Sequence, residues 1–173
     1  MAFGVVACAG QDGGSSEAKP PISESASSGS GSNVNAQEAA EEVLAELKGP
    51  QGLLLRVTSL ERDAGGFVTV NGTLKNEGAN GAVVPAGLSG NETEIVKNGR
   101  SLGGATLVDP TGKKRYYVLR DTEGRPLTTT GFATIKSGEG VPVFMQFPAP
   151  PSENAELTLH LPMFSSAGIT IPG

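Results

Sequence analysis

Short apolar or alternating runs separated by turn residues recur from about Leu53 to the end of the chain, and they restrict the fold more than any other feature. In residues 67–75, apolar and polar side chains alternate, as a half-buried strand requires, because successive side chains point to opposite faces. The clearest runs are 53–60, 67–75, 105–108, 115–120, 141–147 and 156–161, with weaker candidates at 81–84, 132–135 and 169–171. Such strands, punctuated by Gly, Asn, Asp and Pro, predict an all-β domain, an antiparallel β-sandwich over residues 53–173.

Charge is unevenly distributed along the 173 residues. The net charge of -5 comes from the first 52 residues, and the remainder is neutral. A neutral domain lacks the basic face of a nucleic-acid platform, so we expect no nucleic-acid partner. One cysteine excludes an internal disulfide, and one histidine excludes sites built from several imidazoles. We therefore expect no metal and no cofactor.

The N-terminus carries the most specific short motif. Val5, Val6, Ala7 and Cys8 are similar to the lipobox of bacterial lipoproteins. The resemblance implies that a diacylglyceryl group is attached to Cys8 and that cleavage before it makes this cysteine the first mature residue. Residues 1–8 would then be the remnant of a signal peptide. The alternative is an incidental or buried cysteine, which the polar tract that follows disfavours.

The lipobox implies a protein anchored to the cell membrane through lipid and facing outside. A complete signal peptide needs a basic start and a longer apolar run, whereas only residues 2–7 precede Cys8 without Lys or Arg. We expect this localisation provided that the true start lies upstream of Met1. No apolar run of membrane-spanning length occurs in the sequence.

Two further segments separate the motif from the predicted domain. Residues 9–34 consist mostly of Ser, Gly, Ala and Pro and predict a disordered linker, because they cannot bury enough apolar surface to offset ordering. Residues 35–49 predict a short amphipathic helix, with Asn35 and Glu38 as a capping box and Gly49 at the end. The helix could dock a partner, but we expect it to lie on its own domain or fray.

Five segments of the predicted domain resemble one family. They are VTSL at 57–60, LKNEG at 74–78, LVDP at 107–110, RDTEG at 120–124 and FPAPP at 147–151. They look like the extracellular immunoglobulin-like domain of actinobacterial lipoproteins, which often precedes an OmpA-type peptidoglycan-binding domain. The OmpA-type domain has no counterpart in residues 1–173, so its peptidoglycan binding is not carried over. The resemblance implies an immunoglobulin-like sandwich and supplies no catalytic residue.

The polar residues of the domain offer few candidate sites. The basic run Lys113, Lys114 and Arg115 could contact anionic wall polymers or lipid head groups, but a solvated hairpin edge explains the same residues. His160 lies on the polar face of a predicted strand, where we expect a solvated residue rather than a catalytic base or metal ligand. Asp121 and Glu123 resemble a fragment of a calcium loop, yet we expect a locally hydrogen-bonded turn. The long interval 78–104 is where we would first look for a binding loop.

Two functions remain open from the sequence. The favoured one is a non-enzymatic, lipid-anchored cell-surface protein whose sandwich is a binding or spacer module, with a cell-wall polymer or an envelope protein as partner. The alternative is a serine-type hydrolase that uses His160. The hydrolase would need a nucleophile in a strained turn, and Gly87-Leu88-Ser89-Gly90 approaches the Gly-x-Ser-x-Gly motif without matching its spacing.

Overall fold

The structure, a computed structural model, describes residues 42–90 and 99–172. Within these residues it is built from ten strands and two short 3-10 turns, at Pro50–Gly52 and Ala86–Ser89, and it contains no α-helix. The strands are β1 (Ala45–Lys48), β2 (Leu53–Arg62), β3 (Phe67–Asn76), β4 (Ala82–Val83), β5 (Thr106–Asp109), β6 (Lys114–Tyr117), β7 (Thr134–Ile135), β8 (Gly140–Pro148), β9 (Ala155–His160) and β10 (Ala167–Ile171). The all-β prediction is confirmed, and each of the nine predicted runs contains or overlaps a strand.

The strands form antiparallel sheets. The first sheet has the order β1-β2-β3-β8, the second has the order β10-β9-β5-β6, and β4 pairs with β7 in a small third sheet. The chain leaves the first sheet after β3, builds β5 and β6 of the second sheet, and returns to the first through β8.

The apolar faces of both four-stranded sheets contribute to one hydrophobic core. Val68, Val70 and Leu74 of β3 are fully buried, as the alternation in this segment predicts. Leu157 and Leu159 of β9 supply the core from the second sheet. Because each sheet turns one face to the core and leaves its other face polar, the described part of the chain has β-sandwich character.

A close backbone approach shapes the centre of the first sheet. The register between β2 and β3 shifts between Val57 and Ser59, which is the signature of a β-bulge. Opposite this shift lies Gly72, where an added Cβ would collide with the carbonyl oxygen of Arg56. Glycine is therefore required at this position for a steric reason.

The prediction of an amphipathic helix over residues 35–49 is wrong for the part that the structure describes. Residues 42–44 have no regular structure, and Ala45–Lys48 form β1, which pairs antiparallel with β2. The strand buries Leu47 completely and gives the edge of β2 a hydrogen-bonded neighbour. Tertiary pairing therefore overrides the local helical spacing, and the folded region begins before Leu53.

The remaining N-terminal predictions fall on residues 1–41, outside the described residues. They are the lipobox with Cys8, the linker 9–34 and the first half of the predicted helix. Among the residues that the structure does describe, no helix is long and apolar enough to cross a membrane.

Candidate binding groove on the second sheet

A cross-strand row of three residues forms the base of a groove on the outer face of the second sheet. Thr106 of β5 lies directly opposite Tyr117 of β6 on one side and His160 of β9 on the other. Thr106 is largely buried, whereas Tyr117 and His160 are exposed. Because neighbouring strands lie roughly 4.8 Å apart, the backbones that carry Tyr117 and His160 are about 10 Å apart across the threonine. Thr106 is thus the floor, and the two ring side chains flank it.

The groove has a volume of about 400 Å³. Besides the row of three, its lining consists of Gly87, Gly90, Gly104, Arg115, Leu161 and Pro162. Its size falls within the roughly 300–1,000 Å³ that is typical of small-molecule sites. None of the lining residues that the structure describes is acidic, and Arg115 is the charged residue among them.

Glycines from the segment before β5 make up one wall. Gly104 packs tightly, because its backbone N–H donates to the carbonyl of Leu88 at 2.8 Å and an added Cβ would meet that same oxygen at 2.8 Å. Gly87 is less confined, since an added Cβ would approach only the sulfur of Met163, at 3.4 Å. Side-chain substitution is thus sterically possible at Gly87 but not at Gly104.

The pleat of β6 separates the members of the predicted basic run. Arg115 lines the groove beside Tyr117, two positions along the same face. Lys114 precedes it in the strand and therefore points to the opposite face. Lys113 lies in the hairpin turn before β6, with a positive φ of 52°. The three cations do not form one patch, and only Arg115 belongs to the groove.

His160 lies on the polar face of β9, as predicted, and its ring lines the groove. Within residues 42–90 and 99–172, no carboxylate is hydrogen-bonded to the imidazole. Ser89, the nearest match to a nucleophile motif, is buried, and its Oγ accepts a hydrogen bond from the N–H of Ser101 at 2.9 Å. The serine therefore faces the segment around Ser101, while Gly87 and Gly90 on either side of it face the groove.

The acidic turn after β6 is closed by local hydrogen bonds, as predicted. Asp121 Oδ1 accepts from the backbone N–H groups of Glu123 and Arg125, at 2.9 and 2.8 Å. Its Oδ2 accepts from Arg125 Nε at 2.7 Å, and this hydrogen bond is the main reason why the pKa of Asp121 is lowered. The carboxylate oxygens are thus occupied by N–H donors from within the turn. In the described part of the chain, no cluster of His, Cys, Asp and Glu could hold a metal ion.

The interval 78–104 contributes to the groove with its glycines. It contains β4 and the 3-10 turn Ala86–Ser89, which carries Gly87. The segment 91–98, on which part of the loop prediction falls, lies outside the described residues. Of the described residues in this interval, Gly87, Gly90 and Gly104 line the groove, and a binding role for the interval stays a prediction.

Tyr116 lies between two groove residues but points to the other face of β6, toward the core. Its hydroxyl oxygen is buried and has no hydrogen-bond partner among the described residues. Burial, with the nearby charge of Asp109 as a second cause, raises the pKa of this phenol above its usual value of 10.0. The buried hydroxyl therefore affects the stability of the fold and takes no part in the groove.

Comparison with protein-family models, with curated proteins and with solved structures finds no match to this chain.

Arg115, His160 and the glycine-rich interval were separate candidates in the sequence, and the structure brings them together at one groove. Tyr117 and Thr106 were not predicted as groove residues. The alternation within 114–117 already places Arg115 and Tyr117 on one face, which was the available signal for the tyrosine. Thr106 lies between Tyr117 and His160 because β5 pairs with both β6 and β9. These pairings join segments far apart in sequence, and no local pattern predicts them.

Proposed function

We propose that this protein is a non-enzymatic, lipid-anchored cell-surface protein whose immunoglobulin-like sandwich binds anionic material of the cell envelope. The lipobox with Cys8 supports the anchor and the outward orientation. The groove on the second sheet is the binding surface of the sandwich. The partner is a cell-wall polymer or an envelope protein that carries negative charge.

One observation carries the binding role, namely the clustering of a cation, an exposed tyrosine and an imidazole around a threonine floor. Tyr117 is 60 % exposed although it belongs to a sheet with a large buried core. Arg115 lies on the same face, and among the described residues it has no carboxylate within salt-bridge distance. An exposed aromatic ring beside an unneutralised guanidinium is a combination that favours ligand contact over fold stability.

Binding is tested with isolated anionic cell-wall material and the purified full chain. Arg115→Glu should weaken binding by about tenfold or more, because it reverses the charge inside the groove. Lys114→Glu is the matched control, since it makes the same charge change in the same strand on the opposite face. Binding should also weaken from low to physiological salt, because the screening length shortens to about 8 Å at 0.15 M.

Equal loss in the two variants would show that only net charge matters and would overturn the groove as the binding surface. Hydrolysis of an ester or peptide substrate that disappears in His160→Ala would replace the binding role with the serine-type hydrolase.

The anchor is tested in a bacterium that expresses the gene with its upstream DNA. Radiolabelled palmitate should enter the wild-type protein and not Cys8→Ser, because the acyl chains depend on the cysteine sulfur. Two or more chains are needed for stable anchoring, at about 0.8 kcal/mol per buried methylene. Equal labelling of both proteins would contradict the anchor, as would recovery of both in the soluble fraction.

A further inference from the structure

We propose that the groove binds an acidic saccharide, a sugar of one or two rings that carries a carboxylate or a phosphate. This inference rests on the proposed function, because it takes the groove as the binding surface and names the chemical class of its ligand. Three properties of the groove lead to it: a placed cation, an exposed ring that flanks the floor, and polar groups along the floor and the opposite wall.

Arg115 accounts for the acidic group. Its guanidinium is planar and donates in a fork that matches a carboxylate or a phosphate. The residue lies in the edge strand of the second sheet, two residue pairs along from the row of Tyr117, Thr106 and His160. An acid held by Arg115 is therefore positioned at one end of the groove, and the body of the ligand extends along the row.

Tyr117 accounts for the ring. Its side chain faces solvent and the groove rather than the core, so its apolar ring surface is available to the apolar C–H face of a sugar. The opposite wall is about two strand spacings away, at roughly 10 Å, which leaves room for a sugar ring against the tyrosine.

Thr106 and His160 account for the hydroxyl groups. The threonine hydroxyl can donate and accept, and the imidazole can donate at one nitrogen and accept at the other when neutral. A flat apolar acid would offer these groups no hydrogen-bonding partner, so they would bond only to water. A hydroxyl-rich ligand satisfies them, which is why the lining favours a sugar acid over an aromatic acid.

The glycine wall provides a way to block the groove without unfolding the protein. Gly87 has an ordinary φ, and an added Cβ would touch only the sulfur of Met163, whose flexible side chain can move. Gly87→Leu should therefore fold and occupy the space beside the row. Gly104 is unsuitable because its Cβ would meet backbone atoms of Leu88 and Gly90.

The experiment measures binding of small probes to the full chain by calorimetry or by NMR titration. The probes are glucuronic acid, glucose 6-phosphate, glucose, acetate and inorganic phosphate. We expect saturable binding of both acidic sugars, and at least about tenfold weaker binding of glucose, acetate and phosphate, because each of these lacks one of the two recognised features. The acidic sugar that binds more tightly shows whether the groove prefers a carboxylate or a phosphate.

Variants assign the contacts. Arg115→Gln should bind the acidic sugars at least about tenfold more weakly than the wild type, whereas Lys114→Gln should bind them with unchanged affinity. Tyr117→Ala should weaken binding and Tyr117→Phe should retain it, because the ring is needed and the hydroxyl is not. Gly87→Leu should abolish binding. A thermal unfolding midpoint close to that of the wild type shows that each variant is folded.

The failure of this inference is distinguishable from that of the proposed function. Equal binding of glucose and glucuronic acid, or of acetate and glucuronic acid, overturns the acidic saccharide. Absence of binding for every small probe also overturns it, and the proposed function then stands if wall material still binds through Arg115. Wall material that binds Arg115→Glu as well as the wild type overturns the groove itself, and with it both proposals.

Discussion

Two adjacent tyrosines on β6 point to opposite faces of the strand, so they have different roles. Tyr116 turns its ring toward the core and leaves a buried hydroxyl without a partner among the described residues. Tyr117 turns its ring toward the groove and is exposed. The first residue therefore affects stability, and the second should affect only ligand binding.

Replacement of Tyr116 by Phe should leave stability unchanged or raise it by up to about 1 kcal/mol, because it removes a buried hydroxyl that lacks a partner. The pKa of this phenol is raised above 10.0 in the folded state. The free energy of unfolding should therefore fall as the pH rises from that value through the raised pKa, and the variant should lose this alkaline decrease. Urea unfolding at neutral and alkaline pH measures both effects. Tyr117→Phe is the control and should change neither, and a loss of more than 1 kcal/mol in Tyr116→Phe would reveal a hydrogen bond to its hydroxyl.

Asn76 is a fully buried polar residue whose side chain is satisfied on both sides. Its Nδ2 donates to the carbonyls of Asn80 and Ile135 at 2.7 and 2.9 Å, and its Oδ1 accepts from the N–H of Gly78 at 2.9 Å. The residue thus ties the end of β3 to the following turn and to β7.

Asn76→Ala should lower the free energy of unfolding by about 2–3 kcal/mol, because it leaves three backbone groups without their partner. Denaturant unfolding measures the loss. Asn80→Ala is the matched control, since only the backbone carbonyl of Asn80 takes part, and it should cost less than about 0.5 kcal/mol. Similar losses in the two variants would show that the network is not held by the Asn76 side chain.

At the scale of elements, β1 shows why a segment with helical spacing becomes a strand. A helix over 35–49 would have only three large apolar residues to hold it down. As a strand, the segment pairs with β2 and places Leu47 entirely in the core. Phe164 from the connection before β10 packs over the end of β1, where an added Cβ at Gly49 would collide with its ring.

Leu47→Ala should therefore cost about 2–5 kcal/mol of stability, the usual loss for a leucine removed from a packed core. Leu44→Ala is the control three residues away, because Leu44 is 44 % exposed and should cost much less. Thermal or urea unfolding measures both. If Leu47→Ala were as mild as the control, the segment would be a frayed helix and β1 would not exist in solution.

At the scale of the whole molecule, the buried hydrophobic residues that the structure describes all lie between Leu47 and Ile171. The described residues all belong to one compact unit. We expect a protein comprising residues 38–173 to unfold in one cooperative transition with a β-type circular dichroism spectrum, because its core is complete.

A protein that starts at Gly52 should unfold at a lower temperature, since it lacks β1 and leaves a cavity in place of Leu47. Circular dichroism during heating compares the two proteins. Equal midpoints would mean that β1 contributes nothing to the core, and absence of a cooperative transition in residues 38–173 would mean that the earlier segment is required for folding.

Local patterns in the sequence were enough to determine nine of the ten strands among the described residues, all except β1. The alternation in β3 and β9 depends only on neighbours two residues apart, and the turns between strands have residues with strong local preferences. The all-β class and all nine predicted runs could therefore be derived without a template. The hydrogen-bonded turn at Asp121 followed for the same reason.

The identity of β1 and the assembly of the groove were decided only by the tertiary structure. For residues 42–48 the local spacing favours a helix, and a free edge on β2, which is not visible from the segment itself, makes the strand more stable. In the groove, Arg115 and His160 are 45 positions apart in sequence. They line the same groove because β5 pairs with β6 on one side and with β9 on the other. Such register is set by burial over the entire sheet rather than by any short stretch of residues.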